Sequence, residues 1–388
     1  MNILRRGFLA RCSGALGLAS ISGAQTSLFA ASRAENTSIF NVKDFGAKGD
    51  GVSSDSEAIQ KALDAAGEVN GTVYLPSGVY LCHDLQMREH TTLLADPQWE
   101  YRQSAGAILK LDSENADCVL NITGAFGAHI KGVYFLGLPS AKKKIHGIFL
   151  NNPEKWSQKE DTIIIDDCNI NKFSGNGVYL LRIWLFIVRH SIMQANRMCG
   201  LRVMGWDGFV LDNQFAANHL DGFGADEKSS TIMVTANRIE WNHRYGLHLL
   251  NGNALNVTGN CFDKNFGAAV YAGKMRTSTF SGNIFRYCGW KEGFAENNLP
   301  SSQFIMEDCK GIAISANSAS VHKETDNLEE GDAPKYGFSI SKSKDCVISC
   351  NTFYKAFTAD FFNDMTGNQN VVFETNAACK SNPKKKNK

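Results

Sequence analysis

The side chains best suited to acid–base chemistry recur at one position of a repeated strand in the middle of the chain. His248 and Arg202 each follow a glycine and a leucine, at Gly246-Leu247 and Gly200-Leu201. If the repeats stack, this position forms one outward column. That column reads Tyr179, Arg202, Gly224, His248 and Tyr271. A base here, His248 or Tyr271, can remove a proton from carbon, and a cation, Arg202 or Lys274, can stabilise the charge that develops.

A second column follows in the turns just after these strands. It reads Arg182, Gly205, Glu227, Asn251 and Lys274, with Asp226 beside Glu227. Aromatic rings with cations and acids, and a glycine that leaves room at the centre, suit a linear acidic glycan lying along the stack. The predicted catalytic residues are His248, Arg202, Tyr271, Asp226, Glu227 and Lys274. The predicted substrate-binding residues are Tyr179, Arg182, Asn251, Trp206 and Trp241.

The elements that must position these columns are internal repeats of about 23 residues. Each repeat reads apolar, two residues, Asn, one residue, apolar, two residues, Asn, as in Val210, Asn213, Phe215 and Asn218. The first Asn position is occupied in turn by Cys168, Ser191, Asn213, Asn237, Asn260 and Asn283, and then by Asn317 and Asn351 after longer repeats. An Asn here tolerates left-handed backbone, and its amide can bond the same amide one repeat away.

Apolar residues alternate with period two in the strands, so each strand buries one side. Coils stacked about 4.8 Å apart give parallel strands around one continuous core. The sequence therefore predicts an all-β chain, a right-handed parallel β-helix. A leucine-rich repeat has a similar period, but its fixed leucine frame is absent. Residues 54–67 predict a capping α-helix, with Ser54 or Asp55 as N-cap and an apolar stripe that includes Ile59 and Leu63.

The opening of the repeat region resembles a known superfamily. The stretch Asn41-Val42-Lys43-Asp44-Phe45-Gly46-Ala47-Lys48-Gly49-Asp50-Gly51, then Asp55, the helix, and Val73-Tyr74-Leu75-Pro76-Ser77-Gly78-Val79-Tyr80 are similar to the start of pectate-lyase-like β-helix proteins. That group includes pectate-lyase-3-type proteins, rhamnogalacturonase-like and polygalacturonase-like hydrolases, epimerases and phage depolymerases. The resemblance covers roughly residues 39–375. It implies the fold and a polysaccharide substrate, but it is not specific for the reaction.

Family signatures for particular reactions are weak in this chain. Gly246-Leu247-His248 and Asp226-Glu227 match the polygalacturonase pattern only in part. The Asp-Pro-His-Asp signature of alginate epimerases is missing, and the calcium-binding carboxylate cluster of typical pectate lyases is not evident. A pectin-specific or calcium-dependent activity is therefore not expected.

Several functions remain open from the sequence, and a polysaccharide lyase acting by β-elimination is slightly preferred. A glycoside hydrolase would use a carboxylate pair. Asp226 or Glu227 would supply one member, and Asp207, Asp221 or Glu240 the other. A non-catalytic glycan-binding protein and a polysaccharide epimerase are the remaining alternatives. His219 and His243 fall in turns and are predicted to be structural.

The composition of the chain limits the classes of binding partner that are expected. The net charge is +1, which gives no electrostatic reason to expect nucleic acid. The 11 cysteines show no metal-site spacing, so neither a metal nor another cofactor is expected. Several cysteines fall at core positions of the repeat and are predicted to be free, buried thiols, with disulfides as the alternative in an oxidising compartment. The oligomeric state stays open.

The N-terminal end of the chain predicts an export signal, and the C-terminal end predicts a flexible tail. Arg5-Arg6-Gly7-Phe8-Leu9 precedes a short apolar run, which is typical of a twin-arginine signal peptide, here residues 1–34. The expected partner is the twin-arginine export machinery, and the expected location is periplasmic or secreted, with no membrane contact after signal removal. Residues 35–378 are predicted to form the β-helix domain. Residues 379–388 are predicted to be a flexible basic tail.

Overall fold

A computed structural model describes residues 38–96, 105–153, 159–290, 299–321 and 333–381. The predicted signal peptide and most of the predicted basic tail lie outside these ranges. Parallel strands from successive coils pair in register and build three faces around one apolar core, so the parallel β-helix is confirmed. A 3-10 helix spans Val42–Phe45, and an α-helix spans Ser56–Gly67.

The groove face carries the chemical column. Its strands are Leu85–Gln86, Cys118–Asn121, His146–Asn151, Phe223–Ala225, Leu247–Leu250, Val270–Gly273, Ser302–Glu307, Tyr336–Ser341 and Asp360–Asp364. Two longer strands, Val178–Arg189 and Leu201–Leu211, begin on this face and run on into the second face. These two strands therefore join the two faces into one sheet.

The second and third faces complete each coil. The second face contains Ile39–Asn41, Thr72–Leu75, Thr92–Ala95, His129–Lys131, Ile163–Asp166, Met233–Thr235, Asn256–Thr258, Thr279–Ser281, Ala313–Ser315, Lys344–Ser349 and Gln369–Glu374. The third face contains Asp50–Ser54, Gly78–Cys82, Ala107–Leu111, Tyr134–Leu136, Asn169–Asn171, Ile192–Gln194, Gln214–Ala216, Arg238–Glu240, Cys261–Asp263, Ile284–Arg286, Ser318–Ser320, Thr352–Tyr354 and Ala377–Cys379. All pairings between coils in the described ranges are parallel.

The asparagine ladder lies at the corner between the second and third faces. Asn213 donates through Nδ2 to Oδ1 of Asn237 at 3.0 Å, and Asn237 donates in the same way to Asn260 at 2.9 Å. These side chains are buried, so each amide bond contributes about 1 kcal/mol and prevents a larger desolvation penalty. The expectation of left-handed backbone at the Asn itself is wrong. The positive φ falls one residue earlier, as at Ala236 (φ 59°), because the turn must finish before the amide can point inward.

The α-helix buries the predicted stripe. Ile59, Ala62, Leu63 and Ala66 are all fully buried. Asp55 occupies the N-cap position, but its carboxylate accepts hydrogen bonds from the backbone of Lys48 at 2.6 Å and Gly49 at 3.0 Å instead of capping the helix. It therefore fastens the preceding loop. The role of the helix as a cap stays a prediction.

The cysteines largely follow the prediction. Seven are buried free thiols, and Cys261 is partly buried. The prediction is wrong for Cys350 and Cys379, which are exposed near the C-terminal end of the stack. Within the described ranges, no helix is both long and apolar enough to span a bilayer.

Candidate functional site

The register of the groove face brings the predicted column together. Tyr179 pairs with Arg202, Arg202 with Gly224, Gly224 with His248, and His248 with Tyr271. The Arg202 side chain leans across Gly224 and reaches His248, with 3.4 Å between its NH1 and Nδ1 of the histidine. A side chain at Gly224 would collide with this guanidinium, because an added Cβ would lie 2.7 Å from NH1. The glycine therefore lets two distant coils share one site.

A fully buried carboxylate, Asp221, organises the centre of the site. Arg244 binds it in a bidentate manner, with Nε to Oδ1 at 2.8 Å and NH2 to Oδ2 at 2.6 Å. The backbone N–H of Tyr245 donates to Oδ1 at 3.2 Å, and Nδ1 of His248 lies 3.3 Å from Oδ2. Burial alone would raise the pKa of Asp221, but the bonds from His248 and Arg244 outweigh it and hold that pKa well below its usual range. Asp221 is therefore an ionised anchor.

The second carboxylate of the centre, Asp226, is also held by an arginine. Arg202 donates through Nε to Oδ2 of Asp226 at 2.9 Å and through NH2 to Oδ1. The NH1 group of Arg202 lies 3.6 Å from Asp221. Two carboxylates thus balance the two guanidinium groups of Arg202 and Arg244. The prediction of Arg202 as the cation that neutralises a substrate charge is not favoured by this arrangement.

His248 is placed as a base would be. Its side chain is 12% exposed, its Nδ1 faces Asp221, and its Nε2 makes no hydrogen bond within the described part of the chain. Nδ1 also lies 3.3 Å from NH2 of Arg244 and 3.4 Å from NH1 of Arg202. In the tautomer whose Nδ1 proton is shared with Oδ2 of Asp221, the Nε2 lone pair is free. The ring lies 5.3 Å, between centroids, from both Tyr245 and Tyr271. These rings fix its orientation.

Tyr271 is held in its protonated form. Its hydroxyl donates to Oε2 of Glu307 at 3.2 Å, and Lys342 donates to Oε1 of the same carboxylate at 3.2 Å. Burial, followed by the charge of Glu307, raises the pKa of Tyr271 to about 12. Between His248 and Tyr271, the structure favours the histidine as base and the tyrosine as proton donor.

Two clefts open on either side of His248. The central cleft, of about 320 Å³, is lined by Lys144, His146, Asn176, Tyr179, Met198, Cys199, Arg202, Leu220, Asp226 and Arg244. The C-terminal cleft, of about 290 Å³, is lined by Glu227, Leu250, Asn251, Tyr271, Gly273, Lys274, Glu307, Asp308 and Lys342. Asp226 and Glu227 therefore line different clefts, at the turn that follows the strand Phe223–Ala225.

Lys274 is the cation best placed to meet a substrate anion. It is exposed, lines the C-terminal cleft beside Tyr271, and makes no ion pair within the described residues. Lys144 holds a similar position in the central cleft. An ammonium group without an ion-pair partner is available to bind a ligand anion, whereas the guanidinium groups of Arg202 and Arg244 are already bound to carboxylates.

Three predicted substrate-binding residues lie apart from the clefts. Arg182 sits at a bulge, outside the turn column, because Ile183 and not Arg182 pairs with Gly205; its guanidinium bonds Asn151 and Asn152. Trp206 pairs with Trp184 where the long strands pass between faces. Trp241 follows the third-face strand Arg238–Glu240 and packs against Lys264, whose Nζ lies 4.7 Å from the ring. The predicted placement in the groove is wrong for Trp206 and Trp241, whereas Arg182 contacts Asn151 of the groove face.

Sequence reasoning missed several residues of the site, among them Lys144, Glu307 and Lys342. Arg244 and Tyr245 were not singled out, Asp221 was considered only as a spare carboxylate, and His146 was not named. Asp221 and Tyr245 both precede the strand-leading glycine, and an ionisable residue in an otherwise buried column was the available signal. Nδ1 of His146 accepts from the backbone N–H of Asn176 at 3.0 Å, and burial lowers the pKa of His146 to about 4.

The described residues hold no group of three or more His, Cys, Asp or Glu side chains arranged to bind a metal ion.

Comparison with known families identifies the class. The family described as Rhamnogalacturonase A/epimerase, pectate lyase-like matches residues 39–110, and the family described as Right handed beta helix region matches residues 118–285 and 208–382. The chain belongs to the right-handed β-helix family, within the pectate-lyase-like superfamily, as its opening motif predicted.

Two relatives from Azotobacter vinelandii match a short segment of this chain. Alginate lyase 7 of Azotobacter vinelandii is 67% identical over 42 residues, which is 11% of this chain and 5% of the relative. Mannuronan C5-epimerase AlgE1 of the same organism is also 67% identical over 42 residues, 11% of this chain and 3% of the relative. The solved A-module of the Azotobacter vinelandii Mannuronan C-5 epimerase AlgE6 superimposes with a TM-score of 0.64 at 17% identity, covering 88% of this chain and 99% of that one. That likeness establishes a shared fold.

Proposed function

We propose that this protein is a polysaccharide lyase that cleaves an acidic glycan by β-elimination. The observation that carries the proposal is the orientation of the His248 ring. Its Nδ1 faces the ionised Asp221 at 3.3 Å, and its Nε2 is left without a partner among the described residues. A histidine so oriented can act as a general base through Nε2.

The elimination uses three groups of the groove. Nε2 of His248 takes the proton from the carbon next to the uronate carboxylate, and Lys274 stabilises the negative charge that moves onto that carboxylate. The electron pair of the broken C–H bond forms a carbon–carbon double bond, and the bond from the neighbouring carbon to the glycosidic oxygen breaks. Tyr271, whose pKa is raised to about 12, donates its proton to that leaving oxygen. Glu307 and Lys342 position the tyrosine.

Hydrolysis by a carboxylate pair has less support. A hydrolase of that kind needs one protonated carboxyl group to act as acid. The pKa of Asp221 is held well below its usual range, and Asp226 is bound by two N–H groups of Arg202. Neither carboxylate is placed to donate a proton.

A C5-epimerase acting on uronate units is the second candidate. The matched segments of Alginate lyase 7 and Mannuronan C5-epimerase AlgE1 favour it equally with the lyase. Both reactions begin with removal of the same proton. An epimerase would return a proton to the opposite side of the carbon, and Tyr271 is the donor available for that step.

The test is a screen of acidic and neutral polysaccharides with the full chain, followed by absorbance and mass analysis of the products. A lyase yields unsaturated, ultraviolet-absorbing ends. Saturated reducing ends would overturn elimination in favour of hydrolysis, and inverted units without cleavage would establish the epimerase. Binding without any product would establish a glycan-binding protein.

We also infer that the protein acts outside the cytoplasm, where polysaccharide chains are accessible. The twin-arginine stretch at Arg5-Arg6 supports export of the folded chain. Replacing both arginines by lysine should retain the protein in the cytoplasm on fractionation. Unchanged export would contradict a twin-arginine route.

We infer that the α-helix closes the N-terminal end of the stack. Its buried stripe packs near the strands Ile39–Asn41 and Leu85–Gln86, so it covers core that a further coil would otherwise cover. Leu63→Asp should speed hydrogen exchange in the first coils before the later ones. Uniform exchange throughout the chain would contradict a capping role.

A further inference from the structure

The column that holds His248 continues toward the N-terminal end of the groove face. Tyr179 pairs with Phe149, Phe149 with Asn121, and Asn121 with Gln86. Phe149 lies four coils from His248 along these pairings, a distance of about 19 Å. A glycan held at His248 and extended along the stack therefore passes over Phe149 and Asn121.

A third and larger cleft lies at that place. This N-terminal cleft has a volume of about 680 Å³ and is shallow and open. Its lining residues are Gln86, Met87, Arg88, Glu89, Asn121, Thr123, Gly124, Phe126, Phe149 and Asn151. The volume is in the range of cavities that hold small molecules.

The charged residues of the N-terminal cleft are paired within the protein. Arg88 binds Asp64, with 2.6 Å between NH2 and Oδ1. Lys159 binds Glu89 at 3.2 Å and also lies over the ring of Phe126, 4.4 Å from its centroid. The two charged side chains that line this cleft, Arg88 and Glu89, are thus engaged by partners of opposite charge, whereas Lys274 of the C-terminal cleft makes no ion pair among the described residues.

The remaining lining offers amide donors and an aromatic wall. Oδ1 of Asn121 accepts from the backbone of Thr123 at 2.9 Å, and Oδ1 of Asn151 accepts from Arg182, which leaves both Nδ2 groups available. Phe149 stacks on His146 with 5.7 Å between ring centroids and an angle of 11°. Since His146 lines the central cleft, the aromatic wall is continuous between the two clefts. Rings and neutral amides recognise sugar faces and hydroxyl groups.

We propose that the N-terminal cleft is a subsite for neutral sugar units of the same glycan whose uronate unit lies at His248. The substrate is therefore a heteropolysaccharide in which charged and neutral sugars recur, and not a homopolymer of uronates. This inference rests on the proposed lyase function. It adds the substrate class and a binding site distant from the reaction.

The test compares turnover of two groups of polymers by the full chain. Alginate and polygalacturonate serve as uronate homopolymers, and deacetylated gellan and xanthan serve as polymers with neutral sugars beside each uronate. Phe149→Ala and Asn121→Ala are compared with the wild type and with Tyr354→Ala. Tyr354 is an aromatic residue of the third face that is 50% exposed, and it serves as the matched control. Melting temperatures verify that each variant is folded.

The expected result is higher kcat/KM on a heteropolymer, and a rise in KM of about tenfold in each cleft variant with kcat nearly unchanged. Tyr354→Ala should match the wild type. Preference for a uronate homopolymer, or cleft variants with wild-type KM on every cleaved polymer, would overturn the inference and leave the lyase intact. No cleavage of any polymer would instead overturn the proposed function. Asn121→Ala keeps the inference testable if Phe149→Ala does not fold.

Discussion

The asparagine ladder and the groove column are built by the same repeat and differ in one respect. The ladder keeps the same side chain from coil to coil, as in Asn213, Asn237 and Asn260, and each amide bonds its equivalent in the next coil. The groove column changes at each coil. It reads Gln86, Asn121, Phe149, Tyr179, Arg202, Gly224, His248 and Tyr271.

This difference separates the residues that hold the fold from those that do chemistry. A solenoid needs identical contacts between neighbours, so repeated residues carry stability. A functional site needs different side chains at fixed distances from one another. Only a position of the repeat that need not make identical contacts in every coil can supply them. Asp221 is an exception to this distinction, because it is fully buried and also belongs to the site.

The strongest test of this separation is His248→Ala. Loss of the base should lower kcat by about a thousandfold, within the range for general base catalysis. The melting temperature should fall less than in an Asp221 variant, because Arg244 and the backbone of Tyr245 still bind Asp221. His219→Ala is the control, an exposed histidine that stacks on His243 in a turn. An active His248→Ala variant would rule out the base.

Asp221→Asn should affect both stability and turnover. It leaves Arg244 without its buried counter-charge, which should lower the free energy of unfolding by about 3–5 kcal/mol. Urea denaturation measures the change. Asp212→Asn, an exposed carboxylate with a tolerated positive φ of 54°, is the control. A variant as stable as that control would show that Asp221 does not anchor the cluster.

Asn237→Ala should affect stability alone. It leaves the backbone N–H of Asn213 without its 2.9 Å bond to Oδ1 of Asn237 and breaks two amide bonds of the ladder. We expect a loss of about 2–3 kcal/mol in the free energy of unfolding, with kcat retained. Asn256→Ala, at an exposed position of the second face, should be close to neutral. A large loss of kcat with unchanged stability would contradict the separation.

At neutral pH the smallest expected effect is that of His146, whose contribution changes only as the pH falls. Burial lowers the pKa of His146 to about 4 in the folded chain, below its unfolded value of 6.5. The unfolded state therefore binds more protons between these values, and stability falls as the pH falls from 6.5 toward 4. His146→Asn, whose Oδ1 can accept from Asn176 as Nδ1 does, should flatten melting temperature against pH in this window. An unchanged slope would exclude His146 as its source.

The sequence predicted what the repeat encodes. The frame of Asn213, Asn237 and Asn260 was enough for the parallel β-helix, and it also placed Arg202 and His248 in one column. The turn column was less well predicted. Its frame fails at Arg182, because the strand Val178–Arg189 continues through the expected turn with a bulge.

The rest of the site depends on contacts that no periodicity reveals. Arg244 and Tyr245 reach His248 from the turn before its own strand, and Glu307 reaches Tyr271 from a coil with a longer insertion. The pairing of Arg202 with Asp226 and not with a substrate group depends on side-chain direction across Gly224. The repeat pattern predicts which coil each of these residues belongs to, but it does not predict which side chains they contact.

The central claim is that His248 removes the proton next to a uronate carboxylate. The most direct measurement is the turnover of a cleaved polyuronate carrying deuterium at that carbon, compared with the unlabelled polymer. The account predicts slower turnover of the deuterated polymer, with unsaturated ends in both products and none from the His248→Ala variant. Equal rates with saturated reducing ends would contradict it.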